Sequence, residues 1–325
     1  MKQHILVVGG AGYIGSHMVK LLRQNSYDVT VMDDLSSGHS WAVPNDVTFV
    51  QANVAETDAL CEVFSKKRID AVMHFASFIQ VGESVKDPAK YYHNNVTNTL
   101  KLLNMMNSMN VKKFIFSSTA ATFGNPKYTP IDEQHPQEPI NPYGRSKLII
   151  EQILKEYDDA YAMKSVVLRY FNAAGADPSG KLGEAHDPET HLIPLVLRAA
   201  QSKGAIKVFG EDYETPDGTC IRDYIHVCDL CEAHLLALQN LLNGGSSDSF
   251  NLGTKTGVSV MEVIRAVERV TGKKVPFEVV GRRDGDPAIL VADSSKAHQV
   301  LGWQPRYASI DTIVQHSWQW EKTKK

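Results

Sequence analysis

The chain has 325 residues, enough for about two domains at roughly 150 residues each. Hydrophobic residues make up 43% and charged residues 22%, which excludes a disordered, collagen-like or coiled-coil chain. With 34 Lys+Arg against 37 Asp+Glu the net charge is -3, so no nucleic-acid or anionic-membrane partner is expected and any phosphate must be held by local groups.

A β-branched run at 5–8 is followed at once by GGAGYIGS (9–16), which opens an amphipathic helix carrying Met18, Val19, Leu21 and Leu22. Strand, glycines and helix in this order predict a dinucleotide-binding turn. Gly9 permits the tight bend, Gly12 the approach of a pyrophosphate to backbone, and Gly15 close packing of helix on strand, with the helix N-terminus facing the anion. The next run, 29–32, ends at Asp33, whose carboxylate can accept from an adenosine ribose and would repel a 2'-phosphate, so NAD is expected rather than NADP. Ser36 and Ser37 are further ribose or phosphate candidates.

Further runs at 47–51, 71–75, 114–117 and 165–169 alternate with helical stretches. That βαβ rhythm predicts an α/β fold, a doubly wound parallel sheet of Rossmann type, because parallel strands need crossovers and the crossovers cover the sheet. The fifth run leads into Ser117, Ser118 and Thr119. Thr119 is the candidate hydroxyl at a strand's carboxyl end, with Ser117 and Ser118 as alternatives. Pro142 then begins a helix on which Tyr143 and Lys147 stand one turn apart on one face, where an ammonium can favour ionisation of a phenol.

From 177 to 223 the chain is rich in Gly, Pro and charge (DPSG, GEAHDP, TPDGT) and reads as an excursion from the sheet. A helix at 229–240 and a strand at 250–252 follow, then helices at 260–271 and 310–321. The expected division is 1–176 with 224–255 against 177–223 with 256–325, a smaller and discontinuous region. No repeat is present, and no charge run beyond the terminal Lys324 and Lys325. No apolar stretch reaches the roughly 18–20 residues of a membrane-spanning helix, and a short N-terminal apolar run broken by glycines does not read as a secretory leader. Four cysteines fit a reducing compartment, so a cytoplasmic protein is expected.

The GxxGxxG spacing resembles the extended short-chain dehydrogenase/reductase family. Along the chain GGAGYIGS, HFASFIQVGESV, YYHNNV, SSTAATFG, PYGRSK, LRYFNAAGA, DGTCIRDYIHVCDL, NLGT and RRDGDPA resemble, in order, the UDP-glucose 4-epimerase family. The resemblance implies interconversion of UDP-glucose and UDP-galactose by reversible C4 oxidation, through a 4-keto sugar, with tightly bound NAD. It implies Tyr143 as base, Lys147 on the nicotinamide ribose, and Thr119 on the reacting oxygen. For the cofactor it implies Gly9, Gly12, Tyr13, Ile14, Gly15, Asp33, Asp34, Ser36, Ser37, Asn53, Val54, Phe75, Ala76, Asn94, Tyr143, Lys147 and Tyr170. For the nucleotide sugar it implies Thr119, Tyr143, Asn172, His191, Leu192, Arg222, Tyr224, Arg283 and Asp286, the arginines suited to phosphate oxygens. The stretches 88–109 and 143–161 resemble the family's dimer helices, which implies a homodimer. The sequence departs from the family at Ile79, where many members carry Lys, at Asn53 in place of Asp, and at His191 in place of Asn. Leu290 stands where residue size bears on the sugar.

His226, Cys228, Cys231 and His234 offer zinc-ligand types, but a single CxxC on an amphipathic helix reads as buried structure, and no metal is expected. A 4,6-dehydratase or decarboxylase is the nearest enzymatic alternative. Ala120 and Ala121 stand where dehydratases carry an acid pair, so elimination lacks its proton donor. A non-catalytic NAD sensor would have no need of Tyr143 and Lys147.

Overall fold

The computed structural model describes residues 2–323 other than 203 and 284, so Asp284 of the RRDGDPA motif and the terminal Lys324 and Lys325 lie outside the described residues. The strands are β1 (His4–Val8), β2 (Asp28–Asp33), β3 (Thr48–Gln51), β4 (Ala71–His74), β5 (Lys113–Thr119), β6 (Lys164–Tyr170), β7 (Asn172–Ala174), β8 (Ile206–Phe209), β9 (Ile221–Arg222), β10 (Tyr224–His226), β11 (Asp248–Leu252), β12 (Val258–Ser259), β13 (Phe277–Val280) and β14 (Ile289–Leu290). The helices are α1 (Tyr13–Gln24), α2 (Thr57–Lys66), α3 (Val81–Lys86), α4 (Pro88–Tyr91), α5 (Asn98–Ser108), α6 (Pro142–Tyr161), α7 (Leu192–Ala200), α8 (Val227–Leu242), α9 (Val260–Thr271), α10 (Ser295–Leu301) and α11 (Ile310–Thr323).

Seven strands form one sheet in the order β11-β6-β5-β4-β1-β2-β3, with every neighbouring pair parallel. This is the expected doubly wound α/β sheet. β1 is buried along its whole length, as a central strand covered on both faces must be. One face packs against α1 and α8 through Met18, Leu22, Leu230 and Leu238, and the other against α2, α5 and α6 through Leu60, Leu102, Leu103, Ile150 and Leu154. The strand order reverses between β1 and β4, and such a reversal opens a crevice at the carboxyl ends of the strands.

The excursion at 177–223 carries α7 and β8, which share a separate core with α9 and α11: Ile193, Val196, Leu197, Val208, Val263, Val267, Ile313 and Val314. Within it β9 joins β12 and β14, and β8 joins β13, so short strands far apart in sequence are tied together. Between α4 and α5 the helix widens to a π-turn over Tyr92–Thr97, a distortion often found beside functional groups. Among the described residues no helix is long and apolar enough to cross a membrane.

Candidate active site

The glycine turn leaves β1 at Gly9, whose φ of +79° and the 2.5 Å that a Cβ would leave to Ala76 N make any other residue strained there. At Gly15 a Cβ would stand 2.1 Å from the Gly9 carbonyl, so that position is closed by the protein itself. Gly12 differs: a Cβ there meets nothing nearer than the Gly9 carbonyl at 3.4 Å. Packing within the protein therefore leaves room at Gly12. Gly12 is the N-cap of α1, with no side-chain cap and no acid in the first turn, so the helix presents unsatisfied N–H groups to an anion.

Asp33, buried at the end of β2, accepts from the Ala11 and Leu35 amides, 2.9 Å each, and so braces the turn. Burial raises its pKa, and those two amides pull it back. Asp34 accepts from Ser36 N (2.9 Å) and Asn53 Nδ2 (2.6 Å), which gathers Asp34, Ser36 and Asn53 at the β2 and β3 ends. Val54 follows Asn53 and is buried. Ile14 packs on the sheet, and the Tyr13 phenol donates to the Gly175 carbonyl at 2.6 Å. Phe75 N donates to the Val8 carbonyl (2.8 Å), which lays Phe75 and Ala76 beside the glycine turn. A small open cleft next to this turn is lined by Gly12, Tyr13, Ser37 and His186, among others. An uncapped helix N-terminus and an uncrowded glycine fit the pyrophosphate of a dinucleotide, with Asp33 bracing the turn beside them.

The catalytic candidates meet at the carboxyl end of β5. Pro142 occupies the first turn of α6 and the Asn141 side chain accepts from Gly144 N at 2.9 Å, so the helix starts cleanly at the expected place. A Cβ on Gly144 would come within 2.3 Å of the Ala121 carbonyl. The glycine thus lets α6 begin directly against the turn after β5, which sets Tyr143 beside Thr119. Burial pushes the Tyr143 phenol up, and the Thr119 hydroxyl pulls part of the way back. Lys147, one turn on, is 3% exposed. Its ammonium donates to Ser77 Oγ (2.7 Å) and the Ser117 carbonyl (2.8 Å), and lies 4.8 Å from the Phe116 ring centroid. Burial brings its pKa down to about 7, although Glu151 opposes the fall. No hydrogen bond joins this ammonium to the Tyr143 phenol among the described residues; its acceptors are the β5 carbonyl and Ser77.

Around this pair the Tyr170 phenol donates to Ser117 Oγ at 3.1 Å. Asn94 lies in the π-turn and its amide reaches Asn95 Oδ1 (3.1 Å), while Asn95 ties Phe78 to Ser146 on α6. Ile79 is 41% exposed and its side chain offers no hydrogen-bond donor.

Of the substrate candidates, His191, Leu192 and Arg222 lie on the 177–223 excursion, whereas Asn172, Tyr224, Arg283 and Asp286 flank it in the chain. Asn172 begins β7, which pairs with Tyr224 on β10. Arg222, buried, donates to the Ile221 (2.8 Å) and Pro287 (2.9 Å) carbonyls and pairs with Asp286. Asp223 stays apart from that ion pair, held by Thr254 N at 2.8 Å and Ala292 N at 3.2 Å. Arg283 is exposed and stacks on Phe209, 4.1 Å from its centroid. His191 is the N-cap of α7, Leu192 its first residue, and the His191 ring pairs with Glu184. Leu290 aligns with Arg222 in register.

The zinc-type stretch does not converge. His226 meets His316 Nδ1 at 3.0 Å, His234 meets Ser117 Oγ at 3.2 Å, and Cys231 faces the Ile14 carbonyl at 3.7 Å. Sequence reasoning passed over Ser77, which takes the Lys147 proton bond, because a lone serine after a strand carries no spacing signal. It also passed over Glu184, His186 and Glu189, whose alternation with His191 in EAHDPETH was the available signal.

Residues 5–253 match the NAD dependent epimerase/dehydratase family. The chain belongs to that family. It is 51% identical over 319 residues to a UDP-glucose 4-epimerase of Halalkalibacterium halodurans, covering 98% of this chain and 95% of the relative, and 45% identical over 331 residues to that of Bacillus subtilis, covering 98% and 97%. Among solved structures, the UDP-glucose 4-epimerase from Brucella ovis in complex with NAD superposes with a TM-score of 0.95 at 49% identity, covering 97% of each chain. The enzyme from Bifidobacterium longum in complex with NAD+ and UDP gives 0.93 at 39% identity, covering 99% of each.

Proposed function

We propose that this protein interconverts UDP-glucose and UDP-galactose by reversible oxidation at C4 of the hexose, with NAD resident in the crevice. The observation that carries the reading is the meeting of Tyr143, Thr119 and Lys147 at the end of β5, across the strand reversal from a glycine turn that is open only at Gly12. Relatives of the same length at about half identity support it.

NAD, when bound, would supply the oxidation at C4 and its return. Gly9, Gly12, Tyr13, Ile14 and Gly15 hold the pyrophosphate, and Asp33, Asp34, Ser36, Ser37, Asn53 and Val54 the adenosine. Phe75, Ala76, Asn94 and Tyr170 wall the nicotinamide side. Tyr143 takes the C4 hydroxyl proton, Thr119 hydrogen-bonds the reacting oxygen, and Lys147 binds the nicotinamide ribose. Arg222 and Arg283 grip the diphosphate with planar N–H forks, and Asp286 orients Arg222. Asn172, His191, Leu192 and Tyr224 complete the nucleotide-sugar pocket. In this reading 1–176 with 224–255 binds NAD, and 177–223 with 256–325 binds the nucleotide sugar. A firm grip on the diphosphate with a loosely held hexose lets the keto sugar present either face.

Tyr143→Phe is the test: the UDP-galactose to UDP-glucose rate falls about 100-fold or more while NAD stays bound, because a base is lost and nothing else. A phenylalanine variant with near-normal turnover overturns the assignment.

The protein acts as a cytoplasmic homodimer in this proposal. The four cysteines are all free, and α5 and α6 keep Leu100, Met105, Leu148, Ile149 and Ile153 partly exposed, beside Met109 and Tyr161 at 37% and 46%. Two copies of this pair bury that face as a four-helix contact, and sedimentation at micromolar concentration is expected to give the dimer mass rather than the monomer's.

A further inference from the structure

We propose that Glu184, His186, Glu189 and His191 form a zinc site that clamps the loop between β7 and α7 over the glycine turn. One ligand atom from each of the four lies within 4.8 Å of all the others. His186 Nδ1 is 2.9 Å from Glu184 Oε1 and 3.8 Å from Glu189 Oε1, and His191 Nδ1 pairs with the same Glu184 oxygen. Both carboxylates are at least nine-tenths buried, with Glu184 4% and Glu189 9% exposed. One Glu189 oxygen accepts from the Thr190 (2.9 Å) and His191 (3.0 Å) amides, but the other, Oε2, is buried with no hydrogen-bond partner. A buried carboxylate oxygen without a donor is costly, and a cation among these four groups removes that cost.

The ligand set selects the ion. Two imidazole nitrogens and two carboxylate oxygens suit four-coordinate zinc, whereas magnesium and calcium favour shells of oxygen. Two carboxylates and one divalent ion also balance in charge, which a buried cluster requires. Binding through Nδ1 leaves each ring's Nε2 free.

The loop's backbone is already anchored on both sides. Trp320 Nε1 on α11 donates to the Glu184 carbonyl at 2.8 Å, and His39 Nε2 donates to the Ala185 carbonyl at 2.7 Å. The Tyr13 and His186 rings meet edge to face at 6.2 Å. An ion at this position therefore joins the glycine turn, the loop and the start of α7 into one rigid unit.

The test is read on the resting, untagged full-length protein, so it stands or falls separately from the Tyr143 assignment. Metal analysis after purification with zinc in the medium is expected to give close to one zinc per chain. Chelation should lower Tm and added zinc restore it, and cobalt added to the stripped protein should give the visible d–d bands of a four-coordinate ion. His186→Asn and Glu189→Gln should each weaken zinc binding at least about tenfold, the lower end of what even indirect perturbation of a zinc site costs. If a variant fails to fold, the wild-type cobalt spectrum decides. Stripped wild-type protein that takes up no ion from micromolar zinc, or undiminished uptake in both variants, overturns the proposal and leaves the four residues as a hydrogen-bonded charge cluster only.

Discussion

Lys147 shows how a charged residue can be held inside a protein at a cost. Its ammonium has two good acceptors, Ser77 Oγ and the Ser117 carbonyl, yet desolvation outweighs them and brings its pKa down to about 7. An unfolded lysine titrates near ~10.4, so between about pH 7 and 10.4 the unfolded chain binds a proton that the folded chain does not. Stability from this group therefore rises with pH across that window, and below it the folded protein carries the full burial cost. In cofactor-free protein the difference in unfolding free energy between wild type and Lys147→Met should shift in favour of wild type from pH 7 to pH 9. A difference that stays flat or moves the other way would show the lysine to be solvated.

At the scale of elements, the glycine turn and α1 separate two demands that the motif alone merges. Gly15 is needed by the protein, since its Cβ would strike the Gly9 carbonyl at 2.1 Å, while Gly12 has room for a Cβ at ordinary contact distance. Gly12→Ala is therefore expected to keep the melting temperature of the cofactor-free protein and weaken NAD binding, whereas Gly15→Ala should lower that temperature by several degrees before any ligand is added. Equal losses in both variants, followed by thermal melts and NAD titration, would argue against the division. The same reasoning applies to α6. Its cap at Asn141, Pro142 in its first turn and the close approach at Gly144 place the helix start against Ala121, and this contact carries Tyr143 to Thr119.

Across the whole molecule, one buried ion pair ties the sheet to the helix that carries the site. Arg169 on β6 and Glu151 on α6 meet at 2.7 Å with 8% and 6% of their side chains exposed, and the Gln137 amide donates to Glu151 at 2.9 Å. Removing one partner strands the other charge, so Arg169→Ala should cost about 3–5 kcal/mol in urea unfolding, whereas the double change Arg169→Met with Glu151→Leu should cost far less. Glu151 sits one helical turn beyond Lys147, and its charge favours the Lys147 ammonium. A third core, through α7, α9 and α11, stands apart from the two that cover the sheet.

Local pattern was enough for the parts of this protein governed by nearest neighbours. Alternating buried runs announced the parallel sheet, GGAGYIGS announced the tight turn from β1 into α1, and Pro142 announced the start of the helix that carries Tyr143 and Lys147 one turn apart, because strand burial, caps and i, i+4 spacing act over a few residues. What needed the folded chain was every contact between distant segments: Ser77 beneath Lys147, Gly144 against Ala121, and Asp286 rather than Asp223 on Arg222. Those contacts are set by how helices and loops pack on the sheet. Packing is a property of shape and burial in three dimensions, and no spacing along the chain encodes it.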